Sequence, residues 1–121
     1  MTATEHSVES LDRKLNEAIL SGKALEAFDE YYADDVTMQE NNGEPFAGKA
    51  VNREREVKFF STVAQLHEIK LLASAVNGNV SFGEWLYDIT FKDGNRYSLE
   101  QVAVRRWKNG KVAAERFYYK G

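Results

Sequence analysis

The sequence predicts an α+β fold in which three N-terminal helices pack on a strongly curved, mostly antiparallel sheet. Two observations lead to this prediction. In the N-terminal half, apolar residues recur at the three- and four-residue steps of a helix face. In the C-terminal half, three turn dipeptides separate segments rich in Val, Ile, Tyr, Phe, Trp and Thr, which is typical of strands joined by tight hairpins. Helices followed by an antiparallel meander give an α+β layout with the helices on one face of the sheet.

The first predicted helix runs from about Ser7 to Leu20, with Ser7 as a suitable N-cap. Ser21 and Gly22 end this helix, and a second short helix follows from Ala24 to about Tyr32. The apolar face of the first helix consists of Val8, Leu11, Leu15, Ala18 and Ile19.

A third helix is predicted after Gly48, and we expect its charged run from Arg53 to Glu56 to lie mostly on the solvent side. The residues expected to face the sheet are Val51, Val57, Phe59, Phe60 and Val63.

The predicted sheet begins with a short strand from Val36 to Gln39 and continues with four long strands at about 65–76, 79–92, 95–107 and 111–120. The turns between the long strands are Asn77-Gly78, Asp93-Gly94 and Asn109-Gly110, dipeptides that tolerate positive φ. Strands of this length tend to coil, so the sheet should curl around the helices into a cone with an open end. Such a cavity is a common place for a ligand.

Composition narrows the function classes. A chain of 121 residues with 43% apolar residues is expected to form one domain, residues 1–121, with a proper core. It has no cysteine, and its net charge of −3 argues against a nucleic-acid surface. No apolar run approaches the roughly 20 residues of a membrane helix, and the polar start MTATEHSVES is unlike a secretory signal. We therefore expect a cytoplasmic protein.

Two stretches carry a resemblance to a known family. They are YYADDVTMQENNGEPFAG, from Tyr31 to Gly48, and VAVRRWKNGKVAAERFYY, from Val102 to Tyr119. With the order of helices and strands, they resemble the SnoaL-like branch of the nuclear transport factor 2-like superfamily, which includes polyketide cyclases, and also the ketosteroid isomerases. The resemblance implies the cystatin-like cone fold. It leaves activity open, because this fold carries isomerases, dehydratases, cyclases and non-catalytic domains.

The resemblance implies a general-base carboxylate shortly after the ADD element, which places Glu40 at or beside that position. The isomerase's two hydrogen-bond donors, a tyrosine and a protonated aspartate, fall near Leu15 and Ala103. Neither residue can donate to a developing enolate, and loss of such donors typically costs orders of magnitude in rate. The residues therefore differ from those of a ketosteroid isomerase.

The family pattern also assigns the faces of the strands, with Trp85, Ala103 and Trp107 inward and Val102 and Val104 outward. The resemblance implies a homodimer that forms through the outer face, and such a dimer would cover these valines. The interior is then aromatic with a few polar groups, which suits a small hydrophobic ligand. In addition to Glu40, the predicted ligand-binding residues of the interior are Tyr32, His67, Trp85, Tyr87, Gln101, Arg105, Glu115, Phe117 and Tyr119.

Each of these residues also has a structural explanation. Glu40 could be a solvated carboxylate at a strand end, and His67 a surface residue rather than a proton shuttle. Arg105 and Glu115 could pair with one another instead of with a ligand. The Asp34-Asp35 pair is explained by turn formation, so we expect no metal, and NNGEPFAG lacks the spacing of a phosphate loop, so we expect no cofactor.

Two functions remain open. In the first, the pocket acts by proton transfer on a small hydrophobic carbonyl compound, as an isomerase, cyclase or dehydratase, with Glu40 as base and Tyr87, Gln101 or Tyr119 as donors. In the second, the same fold is a non-catalytic ligand-binding or dimerisation domain.

Overall fold

The computed structural model describes residues 7–120 and has the predicted α+β architecture. Residues 1–6, on which part of the prediction about the polar start falls, lie outside the described residues. No helix in the described range is long and apolar enough to cross a membrane. The helices are α1 (Val8–Leu20), α2 (Ala24–Tyr31) and α3 (Lys49–Ser61), and the strands are β1 (Tyr32–Glu40), β2 (Phe46–Ala47), β3 (Val63–Asn77), β4 (Val80–Phe91), β5 (Arg96–Lys108) and β6 (Lys111–Tyr118).

The first helices form as their caps and apolar faces predict. The Ser7 side chain accepts a hydrogen bond from the backbone N–H of Ser10 at 3.1 Å, so the predicted N-cap is confirmed. Leu15 of α1 and Phe28 of α2 are buried in one core with Val36, Trp107 and Val112 of the sheet. This core fixes the two helices against the end of the sheet where β5 and β6 meet.

The sheet has the strand order β2-β1-β6-β5-β4-β3, and every pair is antiparallel except β1 with β6. The register of β3 on β4 is irregular at three places. Such bulges bend a strand and increase its twist. They help the long meander to curl into the cone that the sequence predicts.

Two of the hairpins illustrate how local sequence sets the register. Asn109 and Gly110 have φ values of 52° and 78°, as the predicted tight turn requires. The first turn lies one residue later than predicted, because Asn77 pairs with Val80 and the loop residues are Gly78 and Asn79. There the positive φ of 62° belongs to Gly78 in the first loop position.

The faces of the sheet agree with the predicted assignment. Trp85, Ala103 and Trp107 are buried, with Trp85 only 1% exposed, whereas Val102 on the opposite face is 38% exposed. Further along β5, Tyr97 has the inward parity but is 49% exposed. The helices therefore cover only one end of the inner face, and the other end is open.

The predicted orientation of α3 is wrong for Val51 and Val57, whereas Phe59 does face the sheet and contacts Phe91. Val51 and Val57 are exposed, and the residue that α3 buries completely is Asn52. Its side-chain amide donates hydrogen bonds to the carbonyl oxygens of Phe46 and Gly48, each at 2.9 Å. The carbonyl groups at the β2–α3 junction thus favour a polar residue at the buried position, and polar neighbours turn inward with it.

Candidate functional site

A buried network of charges lies at the closed end of the cone. Arg105 donates from Nε to Glu115 at 3.0 Å, and from Nη1 to Asp12 and Asn16, both at 2.7 Å. All four side chains are buried. The predicted pairing of Arg105 with Glu115 is present, and α1 supplies the second carboxylate, which the sequence pattern does not reveal.

The network continues through hydroxyl and indole groups. Tyr32 donates its hydroxyl hydrogen to Glu115 at 2.5 Å, and Ser81 donates to Asp12 at 2.7 Å while accepting from Trp107. Burial, and then the charge of Glu115, raise the pKa of Tyr32 well above its ordinary value. Within the described range, no buried side-chain N or O atom lacks a hydrogen-bond partner. Tyr32 and Arg105 are thus both hydrogen-bonded to Glu115 within the interior.

Glu40 lies at the end of β1, where the network meets the opening. It accepts a hydrogen bond from the Tyr119 hydroxyl at 3.0 Å, and its other oxygen lies 3.5 Å from Nη2 of Arg55. Its side chain is 35% exposed. The Arg55 guanidinium also lies over the Phe46 ring, 3.8 Å from the centroid. Burial, and then the hydrogen bond to Glu40, raise the pKa of Tyr119.

An aromatic wall lies on the inner face of the sheet. Trp85 and Tyr87 are stacked, with ring centroids 6.1 Å apart, and Gln101 lies opposite Trp85 on β5. Burial and the charge of Glu115 raise the pKa of Tyr87, so its hydroxyl stays protonated at neutral pH. Phe117 pairs with Ala103 on one side and with Glu40 on the other. The wall thus offers two polar groups, Tyr87 and Gln101, among aromatic rings.

Glu56 is a residue that the sequence pattern places on the wrong side of α3. It is half-buried, whereas its neighbour Glu54 is exposed. Burial, and then the charges of Glu115 and Glu40, raise its pKa to about 7, and Arg55 only partly opposes them. It lies one helical turn after Asn52, whose burial only the structure shows, so the sequence pattern gives no signal for Glu56.

His67 lies apart from these groups. Its side chain is exposed, and Nε2 is 2.7 Å from the hydroxyl of Thr90. Thr90 shares a strand parity with Asp88, which pairs with Arg96 on the outer side of β4 and β5. The structure therefore does not bring His67 to the interior polar group.

Two surface depressions lie elsewhere. One, of about 480 Å³, is lined by Asp34, Asp35 and Lys49 near the β5–β6 turn, and the other, of about 180 Å³, lies on the outer face beside Val104 and Arg106. Neither is lined by Glu40, Tyr87 or Gln101. Across residues 7–120, no three His, Asp or Glu side chains are grouped as metal ligands. The candidate site is therefore defined by the side chains between α3 and the inner face of the sheet.

Comparisons with known proteins agree with the fold. The SnoaL-like domain family matches residues 6–119. A proposed SnoaL-like polyketide cyclase from Mesorhizobium loti is 27% identical, with 98% of this chain and 100% of that chain covered and a TM-score of 0.84. A proposed polyketide cyclase from Pseudomonas putida is 22% identical, with coverages of 94% and 92% and a TM-score of 0.78.

A more distant structure adds the third predicted likeness. It is a protein with a ketosteroid isomerase-like fold from Catenulispora acidiphila, in complex with trimethylamine; it is 15% identical, with coverages of 85% and 80% and a TM-score of 0.71. No curated protein sequence matches this chain significantly. The resemblance predicted from the sequence is confirmed at the level of family and fold.

Proposed function

This chain belongs to the SnoaL-like domain family, and from that premise we propose that it acts by proton transfer on a small hydrophobic carbonyl compound. In this proposal Glu40 is the general base. Tyr87 and Gln101 hold the substrate by hydrogen bonds, and Tyr119 orients Glu40 through its own hydrogen bond. The aromatic wall takes up the apolar surface of the substrate.

The position of Glu40 is the observation that carries the proposal. Its carboxylate lies at the end of a strand, beside the hydroxyl of Tyr119 at 3.0 Å and within 3.5 Å of Arg55. A base needs a fixed orientation and an approach for its substrate, and the partial exposure of Glu40 allows such an approach. The buried Glu115 lacks this access, because Tyr32 and Arg105 occupy its two oxygens.

Hydrogen exchange tests the role of Glu40. Aryl ketones with an acidic α-hydrogen are incubated with the protein in D₂O, and loss of the α-proton signal is followed by NMR. Glu40→Gln should cut the exchange rate by roughly 100-fold or more, as expected for loss of a general base. Glu44→Gln is the control, since Glu44 is an exposed carboxylate in the loop after β1. Equal rates in the wild type and Glu40→Gln would eliminate the proposal.

A second candidate function is ligand binding without catalysis. Its support is that the positions near Leu15 and Ala103, where the resemblance would place oxyanion donors, are filled by buried apolar side chains. In that case no ketone exchanges faster than in buffer, but a flat apolar ligand raises the melting temperature. An absence of any shift across a library of such ligands would count against this function.

We also propose that the chain forms a homodimer through the outer face of the sheet. Phe82, Val102, Val104 and Tyr118 are cross-strand neighbours there, and three of them are large exposed apolar residues. A second copy of the same face would cover this patch. Light scattering after size exclusion should give twice the monomer mass, and Val102→Glu should return it to the monomer mass. A monomeric wild-type protein at high micromolar concentration would contradict the dimer.

A further inference from the structure

The sheet-facing stripe of α3 is polar where it meets Glu40 and aromatic further along. Asn52 is fully buried, and it accepts a hydrogen bond from Arg55 at 3.0 Å. Glu56 lies one turn after Asn52, and Phe59 two turns after it, with its ring centroid 6.0 Å from that of Phe91 on β4. Contacts on either side of Glu56 along this stripe thus point its side chain toward the inner face of the sheet.

Glu56 has no hydrogen bond or ion pair with another side chain among residues 7–120, although every charged neighbour around it has one. The titratable groups that face it come from its own helix and from the strands on which α3 packs. They are Arg55 on α3, Tyr32 and Glu40 on β1, Tyr87 on β4 and Glu115 on β6. On β5, Arg105 is bound to Glu115, and β2 carries no titratable side chain.

We propose that Glu56 is a hydrogen-bond donor of the interior, presenting its carboxyl group to the carbonyl oxygen of the ligand opposite the aromatic wall. The inference rests on the proposed function only in taking this interior as the ligand site. A carboxyl group can donate only when it is protonated. Its half-buried position among Glu40 and Glu115 keeps the proton on Glu56 up to about neutral pH. No side chain among residues 7–120 accepts the hydrogen of this carboxyl group, and a carbonyl oxygen of the ligand can accept it.

The aromatic end of the stripe indicates the shape of the ligand. Phe59 and Phe60 are partly exposed at the open end of the cone, and Tyr97 lies against Phe91 with ring centroids 5.8 Å apart. These rings give the open end an aromatic lining on the same helix as Glu56 and on the strands opposite. An aryl ketone is therefore a suitable probe of this site.

A fluorescent ketone tests the inference directly. The probe is 6-propionyl-2-(dimethylamino)naphthalene, whose emission responds to hydrogen bonding at its carbonyl. Its affinity is measured by fluorescence titration at pH 6 and pH 8.5. For the wild type, Kd should rise by roughly tenfold at the higher pH, where a carboxyl with a pKa of about 7 has lost most of its donor form. The emission maximum of the bound probe should also differ between the two pH values.

Matched variants assign this pH dependence. Glu56→Gln keeps a donor that does not titrate, so its Kd should be the same at both pH values, whereas Glu56→Ala should bind weakly at both. Glu54→Gln, on the exposed side of the same helix, should behave as the wild type. Glu40→Gln should still show a pH dependence, with its midpoint moved to lower pH, because the charge of Glu40 helps to raise the pKa of Glu56. Loss of hydrogen exchange in Glu40→Gln leaves the inference standing. Urea unfolding of each variant shows that it is folded.

Three results would overturn the inference. They are a wild-type Kd that does not change with pH, a pH dependence that persists in Glu56→Gln, and no binding of the probe to the wild type at either pH. The first two leave the exchange assay of Glu40 unaffected, so the two proposals can fail separately, whereas the third also counts against the ligand site that both proposals share.

Discussion

Replacing Glu56 with glutamine should make the protein more stable above neutral pH. The pKa of Glu56 is raised from an ordinary value of 4.5 to about 7 in the folded chain, chiefly by burial. A carboxyl whose folded pKa is raised contributes stability that is fully present below pH 4.5 and is lost as the pH rises through about 7. At high pH the folded protein must hold an ionised Glu56 in a poorly hydrated place, and Glu56→Gln removes that charge.

The magnitude follows from the two pKa values. The difference between 4.5 and about 7 corresponds to about 3 kcal/mol of free energy of unfolding. About 2 kcal/mol of this falls between pH 5 and pH 8.5, because the unfolded chain is already partly ionised at pH 5. Between pH 5 and pH 8.5, the free energy of unfolding of Glu56→Gln should therefore rise by about 2 kcal/mol relative to that of the wild type. This relative change does not depend on the difference between the two proteins at pH 5.

Urea unfolding followed by circular dichroism measures this gain. The free energy of unfolding in water is obtained at several pH values for the wild type, Glu56→Gln and the exposed control Glu54→Gln. The curves of the wild type and Glu54→Gln should fall together between about pH 5 and about pH 7.5, while that of Glu56→Gln should lack this fall. Parallel curves for the wild type and Glu56→Gln, or a gain of the same size in Glu54→Gln, would refute the reasoning about Glu56.

Three further substitutions test how the fold holds the site. Arg105→Met should lower the free energy of unfolding by about 3–5 kcal/mol, because it leaves Asp12 and Glu115 buried without their cation. Asn52→Ala should lower it by about 1–3 kcal/mol, since the carbonyl oxygens of Phe46 and Gly48 each lose a side-chain donor. Ser7→Ala should cost about 1 kcal/mol through loss of the α1 N-cap. Urea unfolding at pH 7 measures all three.

The exposed pair Arg53 and Asp29 provides the control for these measurements. Its two side chains form a hydrogen bond of 2.7 Å, but both are well solvated. Arg53→Met should therefore leave the free energy of unfolding almost unchanged. If Arg53→Met and Arg105→Met destabilise the protein equally, the distinction between the buried network and the surface pairs is wrong.

The order of the elements and the hairpins could be predicted because their signals are local. Ser7 caps α1 through its own side chain, and Asn109-Gly110 adopts the positive φ values that its residue types allow. The first hairpin is displaced by one residue because Gly78 alone supplies the positive φ, so Asn77 can join the strand. Local chemistry thus predicts where a turn occurs, but it fixes the register of the turn only to within one residue.

The partners within the site could not be predicted, because they join residues distant in the chain. Arg105 bonds to Asp12 across 93 positions, and Tyr32 bonds to Glu115 across 83. No periodicity within a single element contains this information. The pairing of Arg105 with Glu115 is accessible from the sequence only because the Asn109-Gly110 hairpin brings the two residues opposite each other.

The orientation of α3 could not be predicted from hydrophobicity alone. Apolar and charged residues are interleaved along this helix, so its apolar stripe is weak, and the carbonyl groups that bind the Asn52 side chain decide which face is buried. That choice leaves Arg55 and Glu56 half-buried. Arg55 gives Glu40 a cation, whereas Glu56 has two carboxylate neighbours and little water. One helix therefore places two glutamates in opposite electrostatic surroundings, which is the condition under which one carboxyl can accept a proton while the other holds one.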